Sequence, residues 1–427
     1  MTTLLLSAAL ILLALFGTPL FAIILAVASL GFYHSGIELT VIASEIYRLA
    51  DTPMLSALPL FTAAGYILAE SQAANRLVRL ADSILGWLPG GLAVVAFAAC
   101  ALFTAFTGAS GVTIVALGAL LMPALIKAGY NEKFSLGLVT TSGSLGLLLP
   151  PSLPLILYGI VAQQMASGAD ISIDKLFIAG IAPGLLMVVL LSLWSVSASP
   201  ARARTRQPFS AARALEACRA AIWEIPLPFF LMIGIYSGYF AISEAAAIVA
   251  LYVLLVEVFI YREISLSQLP AILREAVVMV GGILLILAAS LALTNYLIDA
   301  DVPTRLFTTI QAHISSRLTF LIILNIILLA LGAILDIFSA IVIMVPLLLP
   351  IADSYGIDPI HLGIIFLANM QIGYLTPPVG MNLFIASYRF HKPITTVYLA
   401  TLPFMLILLA ALLIITYVPQ LSLFLVR

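Results

Sequence analysis

The run Thr140-Thr141-Ser142-Gly143-Ser144-Leu145-Gly146-Leu147-Leu148-Leu149-Pro150-Pro151-Ser152 is apolar until two adjacent prolines interrupt it. A second run, Asn369-Met370-Gln371-Ile372-Gly373-Tyr374-Leu375-Thr376-Pro377-Pro378-Val379-Gly380, is interrupted the same way. Proline lacks a backbone donor and its ring clashes with the preceding turn, so a pair should break a helix rather than bend it. The shift of 227 residues that lays Pro377 on Pro150 also pairs Pro123 with Pro350, Gly129 with Gly356, Gly146 with Gly373 and Pro151 with Pro378. Five coincidences at one shift, in one order, read as an internal repeat.

Composition names the solvent around these breaks. Only 9% of the residues are charged and 63% are hydrophobic, against roughly 25% charged in a soluble domain. So few charges cannot cover a soluble particle of 427 residues, and the bilayer fits. A net charge of −1 without a dense basic tract argues against nucleic acid. Cys100 and Cys218 have no metal-like spacing and read as small hydrophobes. The first segment has no basic leader or small-residue cleavage site, so a retained first span is expected.

A transmembrane helix needs about 20 apolar residues. Continuous spans are expected at Leu4–Tyr33, Pro53–Ser71, Leu176–Val196, Ile222–Phe240, Ala245–Ile260, Ala276–Leu297 and Ile394–Phe424. Ala73–Trp87 places Arg76, Arg79 and Asp82 on one helix side and leucines on another, which suggests a helix lying at the interface. The segment Pro200–Arg219 carries Arg202, Arg204, Arg206, Arg213 and Arg219 against Glu216 alone. By the positive-inside rule it is cytoplasmic; a separate arginine-rich binding patch is the alternative.

Just before each interrupted run lies a pair of apolar arms. Gly91–Phe106 and Val112–Lys127 flank Thr107-Gly108-Ala109-Ser110-Gly111, and Arg317–Leu331 and Ala340–Ala352 flank Gly332 to Ser339 with Asp336 among them. Arms this short suggest re-entrant hairpins; short tilted spans are the alternative. Five expected crossings separate the hairpins, an odd number, so the second enters from the opposite face. The expected fold is an all-α polytopic membrane protein with an inverted repeat, two re-entrant helical hairpins and two broken helices, with its site near the midplane.

At a break, unwound carbonyls become ligands for a hard cation. The expected ligands are Ser110, Ser144, Gly146 and Pro150 in the first half and Gly332, Asp336, Thr376 and Gly380 in the second. An all-oxygen set suits Na+ and not a transition metal, although the glycines and hydroxyls could instead serve close helix packing. Asp336 could hold a cation, carry a proton or cap the following arm. Glu244 reads as a cap, and the four histidines as chemically idle. No GxxxxGK[ST] loop is present, so nucleotide hydrolysis is not expected, nor is any enzymatic nucleophile or metalloprotease arrangement. Two Na+ entering with a monoanion would supply about 5 kcal/mol.

The stretches Thr107-Gly108-Ala109-Ser110-Gly111, Pro150-Pro151-Ser152 with Tyr158-Gly159, Leu335-Asp336 and Leu375-Thr376-Pro377-Pro378-Val379-Gly380-Met381-Asn382 resemble the large membrane subunit of TRAP (tripartite ATP-independent periplasmic) transporters. The resemblance extends over nearly the whole chain. It departs at Gly-Ala-Ser-Gly in the first tip and at Ala-Ile-Ser-Glu ending at Glu244, where the family usually carries Thr-Pro-Thr-Glu. It implies an elevator-type importer in the bacterial inner membrane that moves an organic acid with Na+. The implied partners are a separate small four-helix membrane subunit and a periplasmic substrate-binding protein. Candidate contacts to the carboxylate substrate are Gly108, Ala109, Ser110, Gly111, Ser152, Asn369, Gln371 and Asn382. The implied organisation is scaffold spans over 1–90, a first transport repeat over 91–166, central spans over 167–316, a second repeat over 317–390 and a last span over 391–427. A stand-alone proton- or ion-coupled exchanger of the same superfamily is the alternative.

Overall fold

Helices form every regular element among the residues described by the computed structural model, which are 10, 12–13, 16–50, 52–88, 90–165, 171–199, 209–314 and 316–426. Arg202, Arg204 and Arg206, and the start of the expected Leu4–Tyr33 span, lie outside them. The N-terminal group comprises α1 (Leu20–His34), α2 (Thr40–Ala50), α3 (Ala57–Glu70) and α4 (Ala73–Leu85). A first hairpin follows, α5 (Gly91–Thr107) and α6 (Ser110–Lys127). The first broken helix is α7 (Glu132–Ser142), a 3-10 turn (Leu145–Leu148) and α8 (Leu153–Gln163), bent by 40°.

The centre holds α9 (Ile173–Ala198), α10 (Ala211–Ala220), α11 (Pro226–Tyr236), α12 (Ile242–Leu254) with a π-helical extension to Ile260, α13 (Leu269–Asp299) and α14 (Val302–His313). A second hairpin, α15 (Arg317–Gly332) and α16 (Ile337–Ser354), precedes the second broken helix, α17 (Pro359–Gly373) and α18 (Met381–Phe390). The chain closes with α19 (Ile394–Tyr417) and α20 (Gln420–Leu423). Six of the described helices are long and apolar enough to cross a membrane, or up to nine if each bent pair is one span.

The repeat is visible in the element boundaries. Shifting α6 by 227 residues reproduces both ends of α16, and the same shift carries Glu132 onto Pro359 and Gln163 onto Phe390. Its local causes repeat as well. Gly129 and Gly356 both take positive φ, +94 and +66, a turn that side chains resist. The next caps are Asn131, whose side chain accepts from Lys133 N at 2.9 Å, and Asp358, which accepts from Ile360 N at 2.9 Å. Both proline pairs, Pro150-Pro151 and Pro377-Pro378, are joined by cis peptide bonds.

Three expected elements differ. Within the expected Leu4–Tyr33 span, residues 10 and 12–13 are helical and α1 then starts at Leu20, with Pro19 as its N-cap. The expected span Ile222–Phe240 contains a helix of only 11 residues, bounded by Pro226 and a turn at Ser237. It pairs with α12: Tyr252 donates to the carbonyl of Trp223 at 2.8 Å, so the start of one lies against the end of the other. Whether that pair crosses or turns back, it adds an even number of passages, and an odd number still separates the hairpins. The second arms, α6 and α16, each reach 18 residues, about 27 Å at 1.5 Å per residue. They are longer than the sequence suggested, close to the ~30 Å hydrocarbon thickness.

Candidate functional site

Each hairpin tip is tied to the break of its own repeat. In the first half, Thr104 Oγ1 donates to Gly143 O at 2.9 Å and lies 2.8 Å from Thr113 Oγ1, linking both arms to the interruption. In the second, Gly380 N donates to Ala333 O at 2.9 Å and Ile337 N to Tyr374 Oη at 2.8 Å. Glycines permit the approach. A Cβ on Gly146 would overlap the backbone of Ala101 and Ala105, and one on Gly373 would lie 2.5 Å from Gly332 Cα. Ala105 and Gly332 are themselves counterparts at the repeat shift.

The halves are then crossed. Helix α8 packs against α16 of the other hairpin, and α18 against α6. Asn382 Nδ2 donates to Thr140 O at 3.5 Å across this junction. Where the halves meet, Ser144 Oγ stands 3.5 Å from the carbonyl of Gln371, its own counterpart.

Around that junction lie oxygens with nothing to accept. Thr107 Oγ1, Thr141 Oγ1, Gln371 Oε1 and Asn382 Oδ1 are buried without a hydrogen-bond partner among the described residues. The two amides direct their N–H groups inside the protein, Gln371 to Met187 Sδ at 3.4 Å and Asn382 to Thr140 O. Leaving a buried polar atom unsatisfied costs roughly 1–3 kcal/mol each. The two amide oxygens only accept and the two threonine hydroxyls can turn a lone pair toward the same space, so this neutral, all-oxygen set suits a small hard cation.

Other candidates land differently. The carbonyl of Gly146 already accepts from Leu149 N at 3.0 Å, as that of its repeat counterpart Gly373 does from Thr376 N at 2.9 Å. Thr376 Oγ1 donates to Ile372 O at 3.0 Å, and Ser152 Oγ donates to Leu147 O. Ser110 starts α6, buried, behind Gly108-Ala109; Gly111 faces Ile385 of α18. Pro150 and Gly380 sit in the breaks themselves. Asp336 is the N-cap of α16: its carboxylate accepts from Phe338 N at 2.9 Å, Ser339 N at 3.0 Å and the Ser339 hydroxyl. Of its three expected roles the structure shows the cap. Glu244 also caps, accepting from Ala241 N at 2.9 Å.

Asn369 and Gln371 lie about 200° apart around α17, and their amide N–H groups point to different partners. Asn369 turns to the first arm of its hairpin, donating to Asn325 Oδ1 at 2.7 Å and Ile365 O at 2.8 Å. Asn325 in turn meets Thr416, whose carbonyl lies 3.3 Å from His361 Nε2. His361, in the first turn of α17, is fully buried rather than idle at a surface, and this chain of polar groups was missed from sequence.

A second network was also missed. Arg76, expected at the interface, is buried and pairs with Glu224, with Glu257 at 3.0 Å and with Glu263, while its guanidinium stacks 4.0 Å from the Tyr261 ring. Desolvation holds the Glu224 carboxyl above the ordinary carboxylate range, against the pull of Arg76. These groups pin α4 to the ends of α11 and α12.

Comparison with known proteins supplies the context. The family model described as "Tripartite ATP-independent periplasmic transporter, DctM component" matches residues 7–421. The C4-dicarboxylate TRAP transporter large permease protein DctM of Pseudomonas aeruginosa is 36% identical, over 90% of this chain and 88% of that one. The isethionate TRAP transporter permease protein DctMQ of Oleidesulfovibrio alaskensis is 35% identical, over 90% of this chain and 60% of its own. Among solved structures, the YdaH transporter of Alcanivorax borkumensis superposes with a TM-score of 0.61 over 88% of this chain and 86% of that one, at 13% identity. That likeness concerns the fold alone.

Proposed function

Because the chain belongs to the DctM-component family of tripartite ATP-independent periplasmic transporters, whose members are transporters and not enzymes, we propose that it imports a small organic acid across the bacterial inner membrane, coupled to Na+ entry. A periplasmic binding protein delivers the solute, and a separate small membrane subunit completes the permease. The names of the two relatives, one a C4-dicarboxylate and one an isethionate transporter, support an organic anion as cargo.

The observation that carries the Na+ reading is the set of unpartnered buried oxygens at the crossing of the two breaks. Thr107, Thr141, Gln371 and Asn382, with the neighbouring hydroxyls of Ser110 and Ser144, would hold the ion. A bound Na+ supplies the positive charge that a neutral set of oxygens lacks, so a carboxylate can settle beside it. The tips bring glycine-rich backbone, Gly108 to Gly111 and Gly332, next to that place, and Asp336 keeps the second tip folded through its cap. The crossed packing of α8 on α16 and α18 on α6 makes both hairpins one body, which supports an elevator displacement rather than separate gating of the halves.

Uptake into proteoliposomes tests this reading. Accumulation is expected only with the small subunit, the binding protein and an inward Na+ gradient. Uptake that persists with K+ in place of Na+ at fixed pH, or without the binding protein, would overturn it.

A further inference from the structure

We propose that the cleft between α4 and α10 holds the headgroup of a zwitterionic aminophospholipid from the leaflet facing the basic segment. The cleft has a volume of about 240 Å³ and is walled by two helix faces that look at each other. From α4 come Arg79, Asp82 and Ser83, spaced three and four residues apart; from α10 come Arg213 and Glu216. The lining charges balance, two guanidinium groups against two carboxylates. Arg79 and Asp82 are neighbours on one face, yet neither makes an ion pair or a side-chain hydrogen bond with another described residue. Those two charges are thus available to a ligand.

The rim fixes what kind of ligand. Trp87 is 44% exposed and Phe209 57%, both at the cleft, and Ile84, Leu215 and Ile222 are exposed beside it. Amphipathic α4, the aromatic rim and Arg213 and Arg219 of the basic segment place this surface at the headgroup level of the cytoplasmic leaflet. Acyl chains run along the exposed apolar side chains while the headgroup enters the cleft. Its phosphate accepts from Arg79 and Arg213, and its ammonium donates to Asp82 and Glu216. A choline headgroup has no N–H to donate, and a glycerol headgroup offers no cation to the carboxylates. The site is independent of which solute is carried.

Native mass spectrometry of the purified protein with equimolar phosphatidylethanolamine, phosphatidylglycerol and phosphatidylcholine tests the assignment. Phosphatidylethanolamine should be retained about tenfold over phosphatidylcholine, the equivalent of ~1.4 kcal/mol. Asp82→Asn with Glu216→Gln should leave the melting temperature unchanged and invert the preference toward phosphatidylglycerol. Arg79→Ala should lose both lipids, while Arg305→Ala, on an element remote from the cleft, should lose neither. Wild-type protein without headgroup preference, or a double variant with unaltered preference, would overturn the proposal.

Discussion

Replacing Arg76 with methionine should be among the most damaging single changes outside the transport site. The substitution keeps much of the side-chain volume and removes the cation that Glu224, Glu257 and Glu263 share. Glu263 is 22% exposed and recovers solvent, so its share of the loss is small. Glu224 and Glu257 are 3% and 0% exposed and cannot. Removing one partner from a buried ion pair costs about 3–5 kcal/mol, a factor of roughly 150 to 5,000 in the folding equilibrium. Loss of the guanidinium stacked on Tyr261 falls within that figure.

The assay is intrinsic tryptophan fluorescence melting in one detergent, repeated across pH. Burial already raises the Glu224 carboxyl, so the folded protein holds that proton to higher pH than the unfolded chain. A raised acid gives stability that is full at low pH and is lost as pH rises through the folded value. Without Arg76 that value climbs further, so the defect should be largest near about pH 8 and shrink toward about pH 5. The companion variant Arg76→Met with Glu224→Gln and Glu257→Gln should recover most of the loss, since a neutral buried cluster is often tolerated as well as an ionic one. The reasoning fails if Arg76→Met melts within about 0.5 kcal/mol of wild type, or if its defect is independent of pH.

Other expectations are simpler. Gly373→Ala should cost about 1–3 kcal/mol and abolish uptake, because its methyl would strike the Gly332 backbone; Gly281→Ala, with nothing within 4 Å, should be tolerated. Melting and uptake of the two variants, compared side by side, check this. Asp336→Ala should lower stability by about 1 kcal/mol through the lost cap, whereas Asp336→Asn should keep the cap and raise the Na+ concentration needed for half-maximal uptake. Unchanged Na+ dependence in the asparagine variant would remove Asp336 from the ion's surroundings. Gln371→Leu should raise the half-saturating Na+ about tenfold, one lost ligand at ~1.4 kcal/mol, while Asn325→Leu should lower the melting temperature and leave Na+ dependence unchanged. Equal Na+ curves for both would refute the division between the two faces of α17.

Sequence alone exposed the repeat, because proline and glycine act through backbone geometry and leave the same mark wherever they stand. The breaks at Pro150 and Pro377, the two hairpins and the cap at Glu244 all depend on residues within a few positions of one another. Arg76 does not. Its partners lie 148 to 187 residues away, and locally it sits three residues from Arg79, a spacing that reads as a solvated helix face. The same holds for Asn369, whose direction is set by Asn325 on another helix. Asn369 and Gln371 stand two positions apart in sequence, which on a helix turns their side chains to nearly opposite faces.

The exchange of contacts between the two repeats bears on how the chain comes together. With α8 resting on the other half's hairpin and α18 doing the same in return, neither half has a finished surface to itself. Two polypeptides divided in the 200–208 connector should therefore assemble only when synthesised together, each serving as the missing wall of its twin.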